Sequence, residues 1–230
     1  MTLTFEPTPP LLVPTVGGDD FPVRRLFCIG RNYADHAREM GADPDREPPF
    51  FFTAWAETVV AGGGTLPYPP GTADYHHEVE LVVAIGGSGR DVPVAEAAGL
   101  IYGYAVGLDM TRRDLQAAAK SAGRPWDTAK NVERSKPVGT IHPAAGFDPG
   151  AGAITLSVNG ERRQTGDLSD QIWSVPEVIA HISTLYRLQP GDLIFTGTPA
   201  GVGPVVPGDT IVAAIAGLGD LTVTIGPVEA

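Results

Sequence analysis

Acidic side chains in the run from Tyr75 to Leu81 could hold a metal ion. In an extended strand successive side chains point to opposite faces, so Glu78 and Glu80 project to the same side. Burying two like-charged carboxylates without a cation costs several kcal/mol, so we expect a cation between them. A third acid, Asp109, ends the apolar run 101–108. The three residues, here called the acidic triad, would form an oxygen-rich site.

Oxygen ligands favour Mg²⁺, Mn²⁺ or Ca²⁺, and three carboxylates with open coordination positions suit Mg²⁺ first and Mn²⁺ second. A site without a metal is also compatible with the pattern, because the glutamates could lie on a solvated strand face and pair with arginines. A zinc site built from His76, His77 and Glu78 is disfavoured, because adjacent strand residues face apart.

A second candidate is the pair His36 and Glu39, three apart on a short helix predicted over 32–40 with Asn32 as its N-cap. A carboxylate beside an imidazole orients the ring and raises its basicity, as a water-activating base requires. The pair could also occur by chance on a solvated helix. The proline-bearing segment 41–49 that follows has the composition of a mobile lid.

Further polar groups could bind an anionic substrate. The loop 196–203 is rich in glycine and threonine, and its N–H groups and hydroxyls could bind a carboxylate or an oxyanion, or simply form tight turns. Arg113 and Gln116 share one face of a helix predicted over 111–120. From its local sequence alone, Lys130 is predicted to be a surface lysine.

Composition limits the classes of function. The 230 residues suit one domain, with 43% hydrophobic and 19% charged residues. A net charge of −11 argues against nucleic acid as a partner. No apolar stretch is long enough to span a membrane, and no signal-peptide pattern begins the chain, so we expect a cytoplasmic protein. The single cysteine, Cys28, is expected to be a core residue.

Twenty-nine glycines and 22 prolines indicate many turns and a strand-rich fold. Residues 1–20 are predicted to be an irregular lead-in with a short strand at 11–13. Asn159-Gly160 is a strong hairpin signal, and Ser174 begins a capped helix. Further strands are predicted at 26–29, 50–52, 75–85, 101–108, 154–158, 161–164 and 193–195, with two more between residues 207 and 225.

Four motifs together resemble the fumarylacetoacetate hydrolase family from about Phe21 to the carboxyl end. They are Gly30-Arg31-Asn32-Tyr33-Ala34-Asp35-His36, His77-Glu78-Val79-Glu80-Leu81, Gly107-Leu108-Asp109-Met110-Thr111 and the loop 196–203. The resemblance implies an α+β fold, a mixed β-roll with short peripheral helices. It also implies a single catalytic domain at 21–230 after the lead-in 1–20, commonly as a homodimer.

The same resemblance implies functional roles. The acidic triad would carry Mg²⁺ or Mn²⁺, and His36, Glu39 and Lys130 would be catalytic. Arg113, Gln116, Gly197 and Thr198 would bind substrate. The implied reaction is metal-dependent hydrolysis of a carbon–carbon bond in a 2,4-dioxo acid, fumarylpyruvate or another acylpyruvate. It releases pyruvate, as in gentisate-type degradation of aromatic acids.

The chain departs from the family pattern in two places. Ala54 and Trp55 stand where a Lys-Pro pair is expected, and 131–132 is Asn-Val where a small residue and Phe are expected. A lost cation and an added indole predict a less anionic substrate. The motifs are also compatible with decarboxylation or tautomerisation of oxaloacetate, or with a binding protein that kept the fold without the chemistry.

Overall fold

The computed structural model describes residues 3–39 and 48–228. Strands dominate this part of the chain, as the glycine and proline content predicts. In chain order the strands are β1 Leu12–Pro14, β2 Asp20–Pro22, β3 Arg25–Gly30, β4 Phe50–Ala54, β5 Val59–Ala61, β6 Gly64–Tyr68, β7 Tyr75–His77, β8 Val79–Ile85, β9 Ile101–Leu108, β10 Thr111–Arg112, β11 Lys136–Val138, β12 His142–Pro143, β13 Ala153–Val158, β14 Glu161–Asp167, β15 Asp192–Phe195, β16 Gly203–Val205, β17 Thr210–Ile215 and β18 Gly219–Val228.

The helices are short and lie around the sheets. They are α1 Ala34–Glu39, α2 Val94–Ala97, α3 Arg113–Ser121, α4 Asp127–Lys130 and α5 Val175–Leu185, with 3₁₀ turns at Ala56–Thr58, Ala98–Leu100 and Leu168–Asp170. Across residues 3–39 and 48–228, no helix combines the length and the apolar character that crossing a membrane demands.

The largest sheet has the strand order β4-β3-β15-β8-β9-β11-β5, with β12 attached to β9. It is mixed, because β3 pairs in parallel with β15 and β5 with β11, while the other pairs are antiparallel. Side chains alternate along β8, so Leu81 and Val83 enter one core while Val82 and Ala84 enter another. Both faces of this sheet are therefore buried.

A second sheet, in the order β14-β13-β17-β18-β6, shares the larger core with the first sheet and with α5. The smaller core lies on the other face and includes Val13 and Phe21 of the hairpin β1-β2. The predicted boundary after residue 20 falls inside this hairpin, so the lead-in is only partly irregular. A third sheet has the strand order β10-β7-β16, with β7 ending directly before Glu78 and β10 beginning two residues after Asp109.

Local sequence signals place several elements correctly. Asn159 and Gly160 both have positive φ, 51° and 80°, as a two-residue hairpin turn requires. Ser174 and Glu177 form the reciprocal capping box that begins α5. Cys28 is buried in the smaller core, as predicted.

Other expectations need correction. Helix α1 begins at Ala34, and Asn32 is not its N-cap: the Asn32 amide donates to the carbonyls of Trp173 and Thr196 and accepts from the Trp173 N–H. These long-range bonds use the groups that a cap would need. Residues 111–112 are a strand, so α3 begins two residues later than predicted. The predicted lid at 41–49 falls mostly outside the described residues.

Candidate active site

The acidic triad converges at the ends of adjacent strands. Glu78 lies between β7 and β8, Glu80 is in β8, and Asp109 follows β9. The Asp109 N–H donates to the Glu78 carbonyl at 2.9 Å, which fixes the two segments side by side. One carboxylate oxygen from each residue lies within 4.8 Å of the others, and all three residues are buried. The predicted projection of both glutamates to one side is confirmed.

Lys130, the last residue of α4, bridges two members of the triad. Its ammonium donates to Glu78 Oε2 at 2.7 Å, Asp109 Oδ2 at 2.9 Å and Thr111 Oγ1 at 2.6 Å. Burial alone would lower the pKa of Lys130, but the carboxylates of Asp109 and Glu78 outweigh burial and raise it. The side chain is 3% exposed, so its interpretation as a surface lysine was wrong.

Arg113 and Gln116 approach the triad from the first turn of α3. The Arg113 guanidinium contacts Glu78 Oε1 and donates to Gln116 Oε1 at 2.6 Å. Although burial disfavours the charged form of Glu78, Lys130 and Arg113 hold its pKa well below the usual range. Arg113 and Gln116 therefore face the site, as their predicted substrate-binding role requires.

Glu80 differs from the other two acids. It accepts a hydrogen bond from the Gly197 N–H at 2.7 Å, and no lysine or arginine of the described chain pairs directly with it. Burial and the neighbouring carboxylates of Asp109 and Glu78 raise its pKa well above the ordinary value. Its ionised form would be stabilised by a cation.

Lys136, at the start of β11, is a site residue that sequence reasoning missed. It is fully buried, and its ammonium contacts Asp109 Oδ1. All three lysines of the chain thus lie at the site, because Lys120 lines the same cavity as Lys130. The sequence signal that could have indicated this residue is a lysine placed directly before apolar strand residues.

His36 and Glu39 form the predicted pair. His36 Nδ1 lies 3.1 Å from Glu39 Oε2, and His36 is buried whereas Glu39 is partly exposed. The Gly201 N–H lies 3.3 Å from both Glu39 oxygens. When Nδ1 carries the proton donated to Glu39, Nε2 is free to accept one. Burial lowers the pKa of His36 below 6.5, although Glu78 and Glu39 oppose that shift, so the neutral ring is favoured.

The loop 196–203 is held by Gln164, a second residue that the sequence did not reveal. Gln164 Oε1 accepts from the Val79 N–H at 3.1 Å and lies 3.0 Å from His77 Nδ1. Its amide donates to Thr198 Oγ1 and the Pro199 carbonyl, both at 2.8 Å. One buried side chain therefore fixes the loop against the segment that carries Glu78.

Gly197 is a residue for which glycine is required. Its φ is +99°, and a Cβ there would lie 2.8 Å from the Asn32 Cβ. Without a side chain, the N–H can reach Glu80. The predicted binding role of Gly197 stays a prediction.

These groups share one narrow cavity, here called the inner cavity. Its walls include the acidic triad and five other predicted residues, and Glu39 reaches it through its contact with His36. Besides the triad, the predicted wall residues are His36, Arg113, Gln116, Lys130 and Thr198. Arg31, Phe52, Lys120 and Trp126 complete its polar and aromatic lining.

The inner cavity fits a divalent cation. When all are ionised, the triad carries three negative charges, and the contacting Lys130, Lys136 and Arg113 carry three positive ones. The donor set consists of hard oxygen atoms, which Mg²⁺ and Mn²⁺ prefer. Glu80, buried without a direct cation partner in the described chain, is the group that such an ion would neutralise.

Comparison with known proteins agrees with this architecture. The family described as fumarylacetoacetate (FAA) hydrolase C-terminal matches residues 25–226. A fumarylpyruvate hydrolase from Ralstonia is 50% identical over 192 residues, which cover 83% of this chain and all of that protein. A mitochondrial oxaloacetate tautomerase of Arabidopsis thaliana is 44% identical over 86% of this chain and 88% of its own.

The similarity extends to a solved structure. The crystal structure of fumarylpyruvate hydrolase from Pseudomonas aeruginosa, in complex with Mn²⁺ and pyruvate, superposes with a TM-score of 0.96. It is 50% identical and covers 99% of this chain and all of its own. These similarities and the acid-lined cavity define an enzyme of the hydrolase class. The chain belongs to the fumarylacetoacetate hydrolase family, and the predicted mixed α+β fold is confirmed.

Proposed function

We propose that this enzyme hydrolyses the bond between C3 and C4 of a 2,4-dioxo acid, with fumarylpyruvate as the leading substrate. The observation that carries the proposal is that the acidic triad and His36, whose Nδ1 contacts Glu39, line one cavity. The fumarylpyruvate hydrolases at 50% identity support the choice of substrate. The products would be fumarate and pyruvate.

We propose Mg²⁺ or Mn²⁺ on the acidic triad. When bound, the cation would supply Lewis-acid polarisation of the substrate's oxo group and a template for its carboxylate. The triad and its three cations cancel in charge, so the loaded site would carry two positive charges. That charge matches a substrate carboxylate together with the enolate that forms during cleavage.

The side chains can then perform the remaining steps. Glu39 keeps a proton on His36 Nδ1, so Nε2 can take a proton from water, whose hydroxide adds to C4. The C3–C4 bond breaks, and its electron pair moves to C3 as pyruvate enolate. Lys130 and Arg113 supply positive charge beside that developing anion. C3 finally takes up the proton held by His36, which yields pyruvate.

The testing experiment follows the ultraviolet absorbance of 2,4-dioxo acids. Fumarylpyruvate and neutral acylpyruvates are compared with Mg²⁺, with Mn²⁺ and with EDTA, and released pyruvate is measured separately. We expect metal-dependent loss of absorbance with one pyruvate per substrate. Absorbance that persists with every dioxo acid in both metals would refute the proposal.

Oxaloacetate chemistry is the second candidate, because a relative at 44% identity is an oxaloacetate tautomerase. Tautomerisation or decarboxylation uses the enolate-stabilising side of the site without hydroxide addition. The variant His36→Ala should lower hydrolysis about 10²- to 10⁴-fold, the usual contribution of a general base. Two results together would favour the second candidate. The wild type would show no hydrolysis of dioxo acids, and the His36→Ala variant would still turn over oxaloacetate.

Several finer expectations remain predictions. We propose a homodimer and a role in degradation of aromatic acids, both implied by the family resemblance. Size-exclusion chromatography with light scattering tests the first, and growth of a deletion strain on gentisate tests the second. The cytoplasmic location likewise remains a prediction.

A further inference from the structure

A second cavity of about 490 Å³, here called the outer cavity, opens beside the inner one. Arg31, Phe52, Trp126 and Lys130 line both, so the two spaces adjoin. The inner cavity is narrow and suits the pyruvate part of a dioxo acid. The acyl part of the same molecule must extend beyond it, and the outer cavity is the adjoining space.

Aromatic rings form one wall of the outer cavity. The Trp126 ring lies edge-on to Phe50, with centroids 5.1 Å apart, and 5.9 Å from Phe52. Phe50 is 43% exposed, and Phe51 and Phe52 are only partly buried, so the triplet 50–52 reaches the surface beside the cavity. Such a wall suits a flat, conjugated chain, because planar groups pack against ring faces with little loss of conformational freedom.

The mouth of the outer cavity also carries two arginines, Arg31 and Arg124. Arg31 and Arg124 are exposed, and neither has a side-chain hydrogen bond or ion pair with any residue in 3–39 or 48–228. Asp127, an acid in the lining, accepts a hydrogen bond from Asn131 at 3.1 Å. The two guanidinium groups are therefore available to a ligand.

The backbone of Arg31 supports this assignment. Its φ is 59°, a left-handed conformation that costs a non-glycine residue about 1–2 kcal/mol. In this conformation its guanidinium lies 5.9 Å from the centroid of the Phe50 ring, at the edge of both cavities. Strained residues of this kind concentrate at ligand-binding sites.

The expected indole is not part of the pocket. Trp55 is 55% exposed and lines neither cavity, and Ala54 is buried in the smaller core. The sequence departures at these positions therefore do not make the acyl pocket apolar. The aromatic contribution comes from Trp126, beside two cations.

We propose that the outer cavity is the subsite for the acyl group and selects chains that end in a carboxylate. Arg31 and Arg124 bind that carboxylate, while Phe50, Phe52 and Trp126 pack against a planar, unsaturated chain. This inference rests on the proposed hydrolase function and reverses the expectation of a less anionic substrate. Guanidinium groups suit the task because they bind carboxylates through two parallel hydrogen bonds.

The test compares two substrates of equal length. One is fumarylpyruvate, and the other is 2,4-dioxohept-5-enoate, in which a methyl group replaces the terminal carboxylate. Both are assayed with wild type, Arg31→Gln, Arg124→Gln and the double variant. Arg90→Gln, an exposed arginine in the turn beyond the opposite end of β8 from Glu80, is the control.

We expect the double variant to lose about 10- to 100-fold in kcat/KM for fumarylpyruvate, mainly through KM, which is the usual range for charged hydrogen bonds. The methyl substrate should change less than about threefold, and Arg90→Gln should match wild type for both. Mn²⁺ affinity, measured by calorimetry, should be unchanged in every variant, which separates lost substrate contacts from a damaged site.

Two results would overturn the proposed carboxylate subsite without contradicting the proposed hydrolase function. One is equal kcat/KM of the wild type for both substrates. The other is an equal loss for both substrates in the arginine variants at unchanged Mn²⁺ affinity. Failure of the wild type to cleave these two compounds and every other 2,4-dioxo acid would instead refute the hydrolase function, and the subsite with it.

Discussion

Lys136 and Asp109 form a buried ion pair, in which the Lys136 ammonium contacts Oδ1 of the same carboxylate whose Oδ2 accepts from Lys130. Asp109 is thus held from both sides by cations. This arrangement fixes the orientation of its carboxylate toward Glu78 and Glu80. It also offsets like-charge repulsion inside the triad.

The variant Lys136→Met should destabilise the metal-free enzyme. Methionine has a similar volume, but it leaves a buried Asp109 oxygen without its cation, which costs about 3–5 kcal/mol. Metal affinity should rise, because the site loses one positive charge. Urea unfolding in EDTA and in saturating Mn²⁺ measures both effects. Lys120→Met, at a half-buried lysine with no ion pair in the described chain, is the control for stability, and equal losses in the two variants would contradict the prediction.

Glu80→Gln should separate metal binding from folding. The amide keeps the shape of the side chain and removes a buried charge that lacks a direct cation partner in the described chain. The metal-free protein should be at least as stable as wild type. Mn²⁺ affinity should fall by more than the roughly 10- to 100-fold that loss of an outer-shell partner costs. Calorimetric titration and thermal melting provide the readouts, with exposed Glu96→Gln as control. Unchanged Mn²⁺ affinity would exclude Glu80 as a ligand.

The pH profile of hydrolysis should report on His36. Burial lowers its pKa below 6.5, and the neutral ring is the form that can accept a proton. Activity should therefore persist at pH 6.5 and fall only as the pH drops through the lowered pKa. Glu39→Gln removes a group that raises the His36 pKa, so the acid limb of kcat/KM should move to still lower pH. An acid limb above pH 6.5 in the wild type would argue against this base.

Gln164→Met should loosen the substrate-binding loop 196–203. The change leaves the buried Val79 N–H and Thr198 hydroxyl without their partner, at about 1–3 kcal/mol for each unsatisfied group. We expect a lower free energy of unfolding and a higher KM, with a smaller effect on Mn²⁺ affinity. A KM equal to that of wild type would show that the loop is held by other contacts.

Much of the fold could be predicted because its signals are local. Alternation along β8, the Asn159-Gly160 turn and the Ser174 capping box each depend on residues close in sequence. The acidic triad could also be predicted from the sequence, because strand periodicity places Glu78 and Glu80 on one side. The resemblance in motifs then indicated the family.

The partners of the triad could not be predicted in this way. Lys136 lies 27 residues from Asp109, and Gln164 lies 87 residues from His77, so only the tertiary fold brings them together. Trp55 and Trp126 also show that local sequence does not reveal which side chains line a cavity. Trp55 follows the edge strand β4 yet points to solvent, whereas Trp126, after a helix break, forms the cavity wall.

Because every lysine lies at the site, reagents that react with amines should modify this enzyme mainly at its active site. Reagents that acylate amines normally modify lysines at many positions on a protein surface. Here the only side-chain amines are Lys120, Lys130 and Lys136. Lys120 is the most accessible of them and lines the inner cavity. Apart from the amino terminus, acylation of this protein would therefore act as an active-site label, and occupancy of the cavity by pyruvate should protect against it.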